Sequence, residues 1–159
     1  PFDHHVETLK LPRRMVTRSE KEWAQAKVDQ VLAKPVAKRS SAEESHRRWN
    51  QHVIDRFKQQ QTNPKFDMEL HVLRLGDVAV ATNPFELFLD FGLRMKTQSK
   101  AQQTFIVQLT GSAGWYLPTI KAAAGGGYSA IIQSNLVGTE GGDVLVNRTL
   151  ELINAMWAK

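Results

Sequence analysis

Two oxygen-bearing side chains, Glu86 and Tyr116, stand just beyond predicted strands. Glu86 follows the small apolar run at 78–82, and Tyr116 follows the apolar pattern at 104–109. If these two strands are parallel, both exits lie at the same edge of the sheet, where ligands bind in open α/β folds. We therefore expect Glu86 and Tyr116 to be neighbours in space, although 30 residues separate them along the chain.

Simpler structural roles remain open for these side chains. The order Asn, Pro, Phe, Glu at 83–86 is typical of a helix start, in which Glu86 favours the helix dipole or closes a capping box. On pattern alone, capping is favoured over chemistry. Aromatic packing is the default role of Tyr116, which follows a tryptophan. Tyr128 follows three glycines, which predicts a flexible turn before a buried aromatic, although such a triplet also lets backbone approach a ligand closely.

The elements around these residues predict a strand–helix–strand unit. The run at 78–82 is short and continuously apolar, as expected for a strand that is covered on both faces. A helix over 85–97 and a strand over 104–109 follow. A crossover of about 21 residues between two such strands makes them parallel and right-handed in nearly all cases. The core side of this predicted helix carries Phe85, Phe88, Leu89 and Leu93.

Further strands are predicted by alternation. Residues 66–72 alternate strictly between polar and apolar side chains, which indicates a strand with one wet face. A Gly-Asp turn signal at 76–77 joins it to 78–82 as an antiparallel hairpin. Residues 6–11 alternate weakly and predict an edge strand, which ends at Pro12 because proline lacks the N–H.

Capping boxes and apolar stripes predict the remaining helices. The Ser19–Glu22 pair predicts one helix start and the Ser41–Glu44 pair another, each with two side chains satisfying free amides. The fold class is therefore α/β or α+β. A mixed sheet with its strand–helix–strand unit is flanked by helices over about 20–33, 42–60, 85–97 and 142–157.

Charge and glycine are distributed unevenly. Residues 1–66 hold 14 Lys/Arg, 8 Asp/Glu and no glycine, whereas residues 67–159 hold 7 Lys/Arg and 8 Asp/Glu. The basic front lacks the aromatic stacking pattern of nucleic-acid binders, so a solvated helical face is the favoured interpretation. Eight of the ten glycines lie in 110–142, and a connection of that length inside a domain is usually functional.

Several classes of site are excluded by composition and motif. The chain has no cysteine, which rules out a disulfide scaffold, a thiol nucleophile and a cysteine-ligated metal. Its apolar runs are far shorter than the roughly 20 residues that a membrane-spanning helix needs. The five histidines lack metal-ligand spacing, and no P-loop, GxSxG or HExxH motif occurs.

Three segments, in their order and spacing, resemble the C-terminal part of the catalytic domain of neutral/alkaline non-lysosomal ceramidases, and most of all bacterial ceramidase-like proteins. The segments are Leu-Arg-Leu-Gly-Asp-Val-Ala-Val-Ala-Thr-Asn-Pro-Phe-Glu at 73–86, Gly-Trp-Tyr-Leu-Pro-Thr at 114–119 and Gly-Gly-Gly-Tyr at 125–128. The resemblance covers most of the chain and is densest over about 70–157. It implies an amidohydrolase that cleaves the N-acyl bond of a ceramide-like lipid.

The resemblance also implies a zinc site. The family's ligand glutamate falls on Glu86 and its ligand tyrosine on Tyr116. Its second active-site tyrosine falls on Tyr128, which lies twelve residues after Tyr116 as in the family. Two histidines from an earlier part of the domain complete the site there, and they have no counterpart in this chain. We therefore expect this chain to be inactive by itself.

The resemblance gives the following organisation. Residues 1–159 are a single segment, the C-terminal portion of a larger zinc hydrolase domain. Residues 1–65 are a basic helical elaboration, and 66–159 are the sheet and site-bearing core. The expected partners are the N-terminal remainder of the same enzyme and a lipid-like N-acyl substrate, without nucleic acid or a transmembrane segment. The family resemblance suggests a secreted or periplasmic location.

Two alternatives come from other functional classes. A non-enzymatic module could bind a ligand or partner through the glycine-rich loop at 111–127, with the basic helices as a docking surface. A weaker alternative is a nucleic-acid accessory domain, which would bind through the basic front of the chain.

Overall fold

Eleven helices and strands make up the mixed α/β fold of the computed structural model, which describes residues 1–158. In chain order they are β1 (Phe2–Pro12), α1 (Arg18–Leu32), α2 (Ser41–Gln59), β2 (Lys65–Leu75), β3 (Val78–Thr82), β4 (Phe85–Leu87), α3 (Leu89–Gln98), β5 (Gln103–Val107), β6 (Trp115–Leu117), α4 (Ile120–Gly125) and α5 (Thr139–Met156). Residues 14–64 form one compact unit, and residues 1–13 with the chain from Lys65 onward form the other. The predicted fold class is confirmed.

The main sheet has four strands in the order β1-β2-β3-β5. β1 pairs with β2 and β2 with β3 in antiparallel fashion, while β3 and β5 are parallel. The predicted edge strand, hairpin and strand–helix–strand unit are therefore all present. The turn between β2 and β3 needs a left-handed residue, and Gly76 supplies it with φ of 64°.

One face of this sheet, together with α3 and α5, forms the core. Its most buried members include Met68, Leu70, Val72, Met95, Leu145 and Ile153. The expectation that 78–82 is covered on both faces is wrong. Ala79 and Ala81 are buried, but Val78 and Val80 face the other side and remain partly exposed.

Helix α3 differs from its prediction in start and facing. It begins at Leu89 rather than 85, so its core side is carried by Phe91 and Met95. The predicted core residues Leu89 and Leu93 are exposed instead. Because 85–87 form strand β4, Phe85 cannot set the helical face, and the packing of Phe91 and Met95 sets it instead.

Helix α5 closes the sheet unit and starts at Thr139, three residues before the predicted 142. Its side chain Arg148 holds Glu7 of β1 through two hydrogen bonds of 2.7 Å. The hydrogen bonds from Arg148 are the main cause that lowers the pKa of Glu7 to about 2. Gly142 allows α5 to approach α3, because a Cβ there would overlap the Phe91 ring.

The helical unit consists of α1, α2 and the 3₁₀ turn between them. Both helices begin with a capping box, but at Thr17–Glu20 and Ser40–Glu43 rather than at the predicted pairs, Ser19–Glu22 and Ser41–Glu44. In each box the glutamate accepts a hydrogen bond of 2.8 Å from the cap residue's own amide. None of the helices in residues 1–158 combines the length and apolar character that crossing a bilayer requires.

Candidate active site

A second, two-stranded sheet brings the predicted site residues together. β4 and β6 are parallel, and their register sets Glu86 directly opposite Tyr116. Side chains alternate along β4, so Phe85 and Leu87 are buried in the core while Glu86 points outward and is exposed. Two residues that are 30 positions apart in the sequence therefore share one surface.

Across this register, the Glu86 carboxylate accepts a hydrogen bond from the Tyr116 hydroxyl. This hydrogen bond is the main cause that raises the pKa of Tyr116 above its usual value, and partial burial and the charge of Glu86 add to it. The physical reason is that ionised Tyr116 would place a phenolate against a carboxylate. The neutral phenol is thus favoured as the donor, and the carboxylate as the acceptor.

Tyr128 completes the cluster. Its ring meets the Tyr116 ring edge-on, with centroids 5.9 Å apart and planes at 82°. Such T-shaped pairs are favoured by the aromatic quadrupole. Tyr128 is 67% exposed, so the default expectation of a buried aromatic at this position is wrong. All three sequence-predicted site residues lie at one place on the surface.

The strand β4 exists because Asn83 forms a turn rather than a helix cap. The Asn83 side-chain oxygen accepts a hydrogen bond of 3.1 Å from the Phe85 amide, two residues further on, which forms an Asx turn. The Leu87 amide then donates to the Gln108 side chain at 2.8 Å, which holds the chain extended. The predicted helix over 85–97 is therefore wrong over its first four residues, and helix capping does not explain Glu86.

The entry to β6 is unusually close to β4. Gly114 donates its amide to the Pro84 carbonyl at 2.8 Å, and a Cβ at Gly114 would lie 2.5 Å from the Phe85 ring. Only glycine fits this approach. The next residue, Trp115, has φ of 59°, a left-handed conformation that non-glycine residues seldom adopt. Backbone strain is thus stored immediately before Tyr116.

Asn135 connects the two tyrosines, and sequence reasoning missed it. It is fully buried, and its side-chain NH₂ donates to the Tyr116 carbonyl at 3.1 Å and to the Ser129 carbonyl at 2.9 Å. Its backbone also forms an antiparallel bridge with Trp115. One buried amide therefore fixes β6 and the short 3₁₀ turn that carries Tyr128. Its only sequence signal was its place in the long segment 110–142.

The glycine-rich segment delivers Tyr128 to this cluster. Helix α4 begins where the Thr119 hydroxyl accepts a hydrogen bond from the Ala122 amide at 3.2 Å. It ends at Gly125, and the next two glycines have positive φ, 73° at Gly126 and 95° at Gly127. These conformations reverse the chain direction at low steric cost.

The donor set at this site is oxygen only. Glu86 and Tyr116 offer the carboxylate and phenol oxygens that zinc accepts, so they fit part of a four-coordinate site. Within residues 1–158, no three His, Cys, Asp or Glu side chains are grouped so that they could hold a metal ion. Two of the histidines, His4 and His71, are hydrogen-bonded to each other at 3.0 Å, and His71 also contacts Glu69 at 2.8 Å. All three residues lie on β1 and β2 of the main sheet, not on the strands that carry Glu86 and Tyr116.

Comparison with solved structures shows a ceramidase fold. The chain aligns over 98% of its length with neutral ceramidase from Pseudomonas aeruginosa, at a TM-score of 0.57 and 12% identity. It aligns over 58% of its length with a ceramidase structure described as complexed with C2, at a TM-score of 0.52 and 14% identity. The predicted resemblance is confirmed as a likeness of fold.

The matched region is a minor part of each neighbour. The chain spans 29% of the Pseudomonas aeruginosa protein and 15% of the other ceramidase chain. No family model matches the sequence, and no curated protein matches it either.

Proposed function

We propose that this chain is the C-terminal part of a zinc-dependent amidohydrolase that cleaves the N-acyl bond of a ceramide-like lipid. The observation that carries the proposal is the register of β4 and β6, which pairs Glu86 with Tyr116. The likeness to ceramidase folds supports the same class of enzyme. The rest of the same longer protein supplies the remaining ligands and much of the substrate cleft.

Glu86 and Tyr116 are the metal ligands in this proposal. The register of β4 and β6 sets the two side chains side by side, so one cation could bind an oxygen of each in place of the Tyr116 proton. Two histidines from outside this chain complete the set. When bound, zinc lowers the pKa of a water molecule and polarises the substrate carbonyl.

Tyr128 acts on the reacting group in this proposal. Its ring lies against the ring of Tyr116 and the residue is largely exposed, so Tyr128 borders the surface on which a substrate would bind. A hydrogen bond donated to the developing oxyanion would stabilise the transition state more than the ground state. Asn135 and the contact between the two rings hold the Tyr128 side chain beside Tyr116.

The test is made in the full-length protein. Glu86→Gln and Tyr116→Phe should each lower zinc content together with turnover of an N-acylsphingosine. Tyr128→Phe should retain zinc but lower kcat by about 10²–10³, the usual cost of one oxyanion donor. Glu22→Gln, an exposed carboxylate on α1, serves as the control and should change neither quantity.

Unchanged zinc content and turnover in both ligand variants would refute the assignment. The 159-residue chain alone should show no turnover, because two oxygen ligands hold zinc weakly. Hydrolysis by the isolated chain would contradict the proposal that its metal site is incomplete.

A further inference from the structure

The main sheet has a second face that carries large apolar side chains. Strand alternation and register align Phe2 with Leu75 and Val78 in one row, and Leu73 with Val80 and Phe105 in the next. Val6 and Val107 lie on the same face one row further on. We call these eight residues, Phe2, Val6, Leu73, Leu75, Val78, Val80, Phe105 and Val107, the apolar sheet face.

This face is open to solvent in the 159-residue chain. Phe2 is 70% exposed, Phe105 50% and Leu75 49%, whereas Met68 and Leu70 on the opposite face of the sheet are at most 1% exposed. The face is not wholly apolar, because these rows also contain His4, His71 and Gln103. Scattered single apolar residues are normal on a surface, but eight large ones clustered on one sheet face mark an interaction site.

The apolar character is confined to part of the sheet. Along β1 and β2 the face becomes polar: His71 lies opposite Val6 and contacts Glu69 at 2.8 Å, and further along Lys10 forms an ion pair of 3.0 Å with Asp67. Charged and polar side chains at that end of the sheet are favourably exposed to water. The apolar end has the composition of a sheet covered on both sides, which is the pattern that the run at 78–82 shows in the sequence.

We propose that the apolar sheet face is the surface on which the remaining polypeptide of the same longer hydrolase packs, through an apolar layer of its own. The inference rests on the proposed function for the existence of that longer chain. It is supported by the extent of the fold match, which covers 98% of this chain but 29% of the Pseudomonas aeruginosa ceramidase. A matching fold can thus be embedded in a much longer single chain.

Cysteine labelling tests this surface, because the chain has no native cysteine. Phe105→Cys and, as a second position, Val107→Cys are made in the isolated chain and in the full-length gene product. Their reaction with a maleimide is followed by peptide mass spectrometry. Thr8→Cys, an exposed residue at the polar end of the same face, is the matched control.

The expected result is that labelling at 105 and 107 slows by at least about 100-fold in the full-length protein, as for groups that react only after local opening. Labelling at position 8 should change little. Equal rates in both proteins at 105 and 107 would overturn the proposal. Protection that appears in the isolated chain and rises with its concentration would also overturn it, and would indicate a second copy as the occupant.

The labelling readout is independent of catalysis. Protection of both sheet positions in a protein without hydrolase activity would refute the proposed function and leave the interface standing. Hydrolase activity without protection would refute the interface alone.

Discussion

The two compact units of this chain differ in where they carry charge and backbone freedom. Residues 14–64 hold eleven Lys/Arg and six Asp/Glu, so they account for the whole formal net charge of +5. The sheet unit is formally neutral and contains all ten glycines. Glu86, Tyr116 and Tyr128 all lie in the sheet unit. The candidate site therefore lies in the unit that contains the glycines, not in the unit that carries the net positive charge.

The two units also depend on different interactions. The helical unit has a small core, with Val28, Val53 and Ile54 among its buried residues, and its helices begin with capping boxes. The sheet unit has a large continuous core to which Phe85 and Leu117 of the β4–β6 pair belong. Substitutions in the core of the sheet unit should therefore lower the free energy of unfolding more than substitutions of helix-cap residues do.

The largest expected effect is that of Phe85→Ala. Phe85 is fully buried and packs against the backbone of Gly114, so its removal leaves a cavity beneath the candidate site. We expect a loss of about 3–5 kcal/mol in unfolding free energy, measured by urea denaturation. Phe57→Ala on α2, where the side chain is half-buried, is the comparison and should cost less. A smaller loss at Phe85 than at Phe57 would break the contrast between the units.

Asn135→Asp should have the next largest effect. The change removes both side-chain N–H donors and sets a carboxylate against two carbonyl oxygens, at a cost of about 1–3 kcal/mol. The ultraviolet titration of the tyrosines should also change, because β6 and the Tyr128 turn lose their shared tether.

Asn50→Asp is the matched control for Asn135→Asp. Asn50 is a buried asparagine on α2 whose side chain donates to the His46 carbonyl at 2.8 Å. Its substitution should lower stability and leave the tyrosine titration unaltered. A tyrosine titration that Asn135→Asp leaves unchanged would show that Asn135 does not position the site.

The cap variants Thr17→Ala and Ser40→Ala should have the smallest effect, about 1 kcal/mol each. Hydrogen exchange should show the loss in the first turns of α1 and α2. Ser19→Ala and Ser41→Ala, which alter the caps expected from sequence, are the controls and should change exchange little. A larger change in hydrogen exchange for Ser19→Ala and Ser41→Ala than for the cap variants would contradict the observed helix starts.

The strands of the main sheet were predictable because their signals are local and unambiguous. Alternation at 66–72, the glycine turn and the apolar run at 78–82 are each compatible with one type of local structure. The pair Asn83-Pro84 is compatible with two, because the same residues can begin a helix or form an Asx turn. The capping boxes were displaced for a similar reason: Thr17–Glu20 and Ser19–Glu22 both satisfy the same spacing.

The candidate site was predictable in part. The proximity of Glu86 and Tyr116 follows from the crossover rule, which depends on topology rather than on the helix boundary that was wrong. Asn135 was not predictable, because its partners are carbonyl groups that only the folded segment 110–142 brings within reach. The expectation that 78–82 is covered on both faces was wrong for a related reason, since composition alone does not say which faces of a strand other elements of this chain cover.

The association of Glu86 with Tyr116 is tested most directly by tyrosine titration. Tyr116 and Tyr128 are the only tyrosines of the chain, so ultraviolet absorbance between pH 8 and 13 reports on these two groups. We predict that one ionises above the ordinary pKa of about 10. Glu86→Gln should lower that pKa, since it removes the carboxylate that disfavours the phenolate. Two ordinary transitions in the unaltered chain, insensitive to Glu86→Gln, would contradict the site on which the proposed function rests.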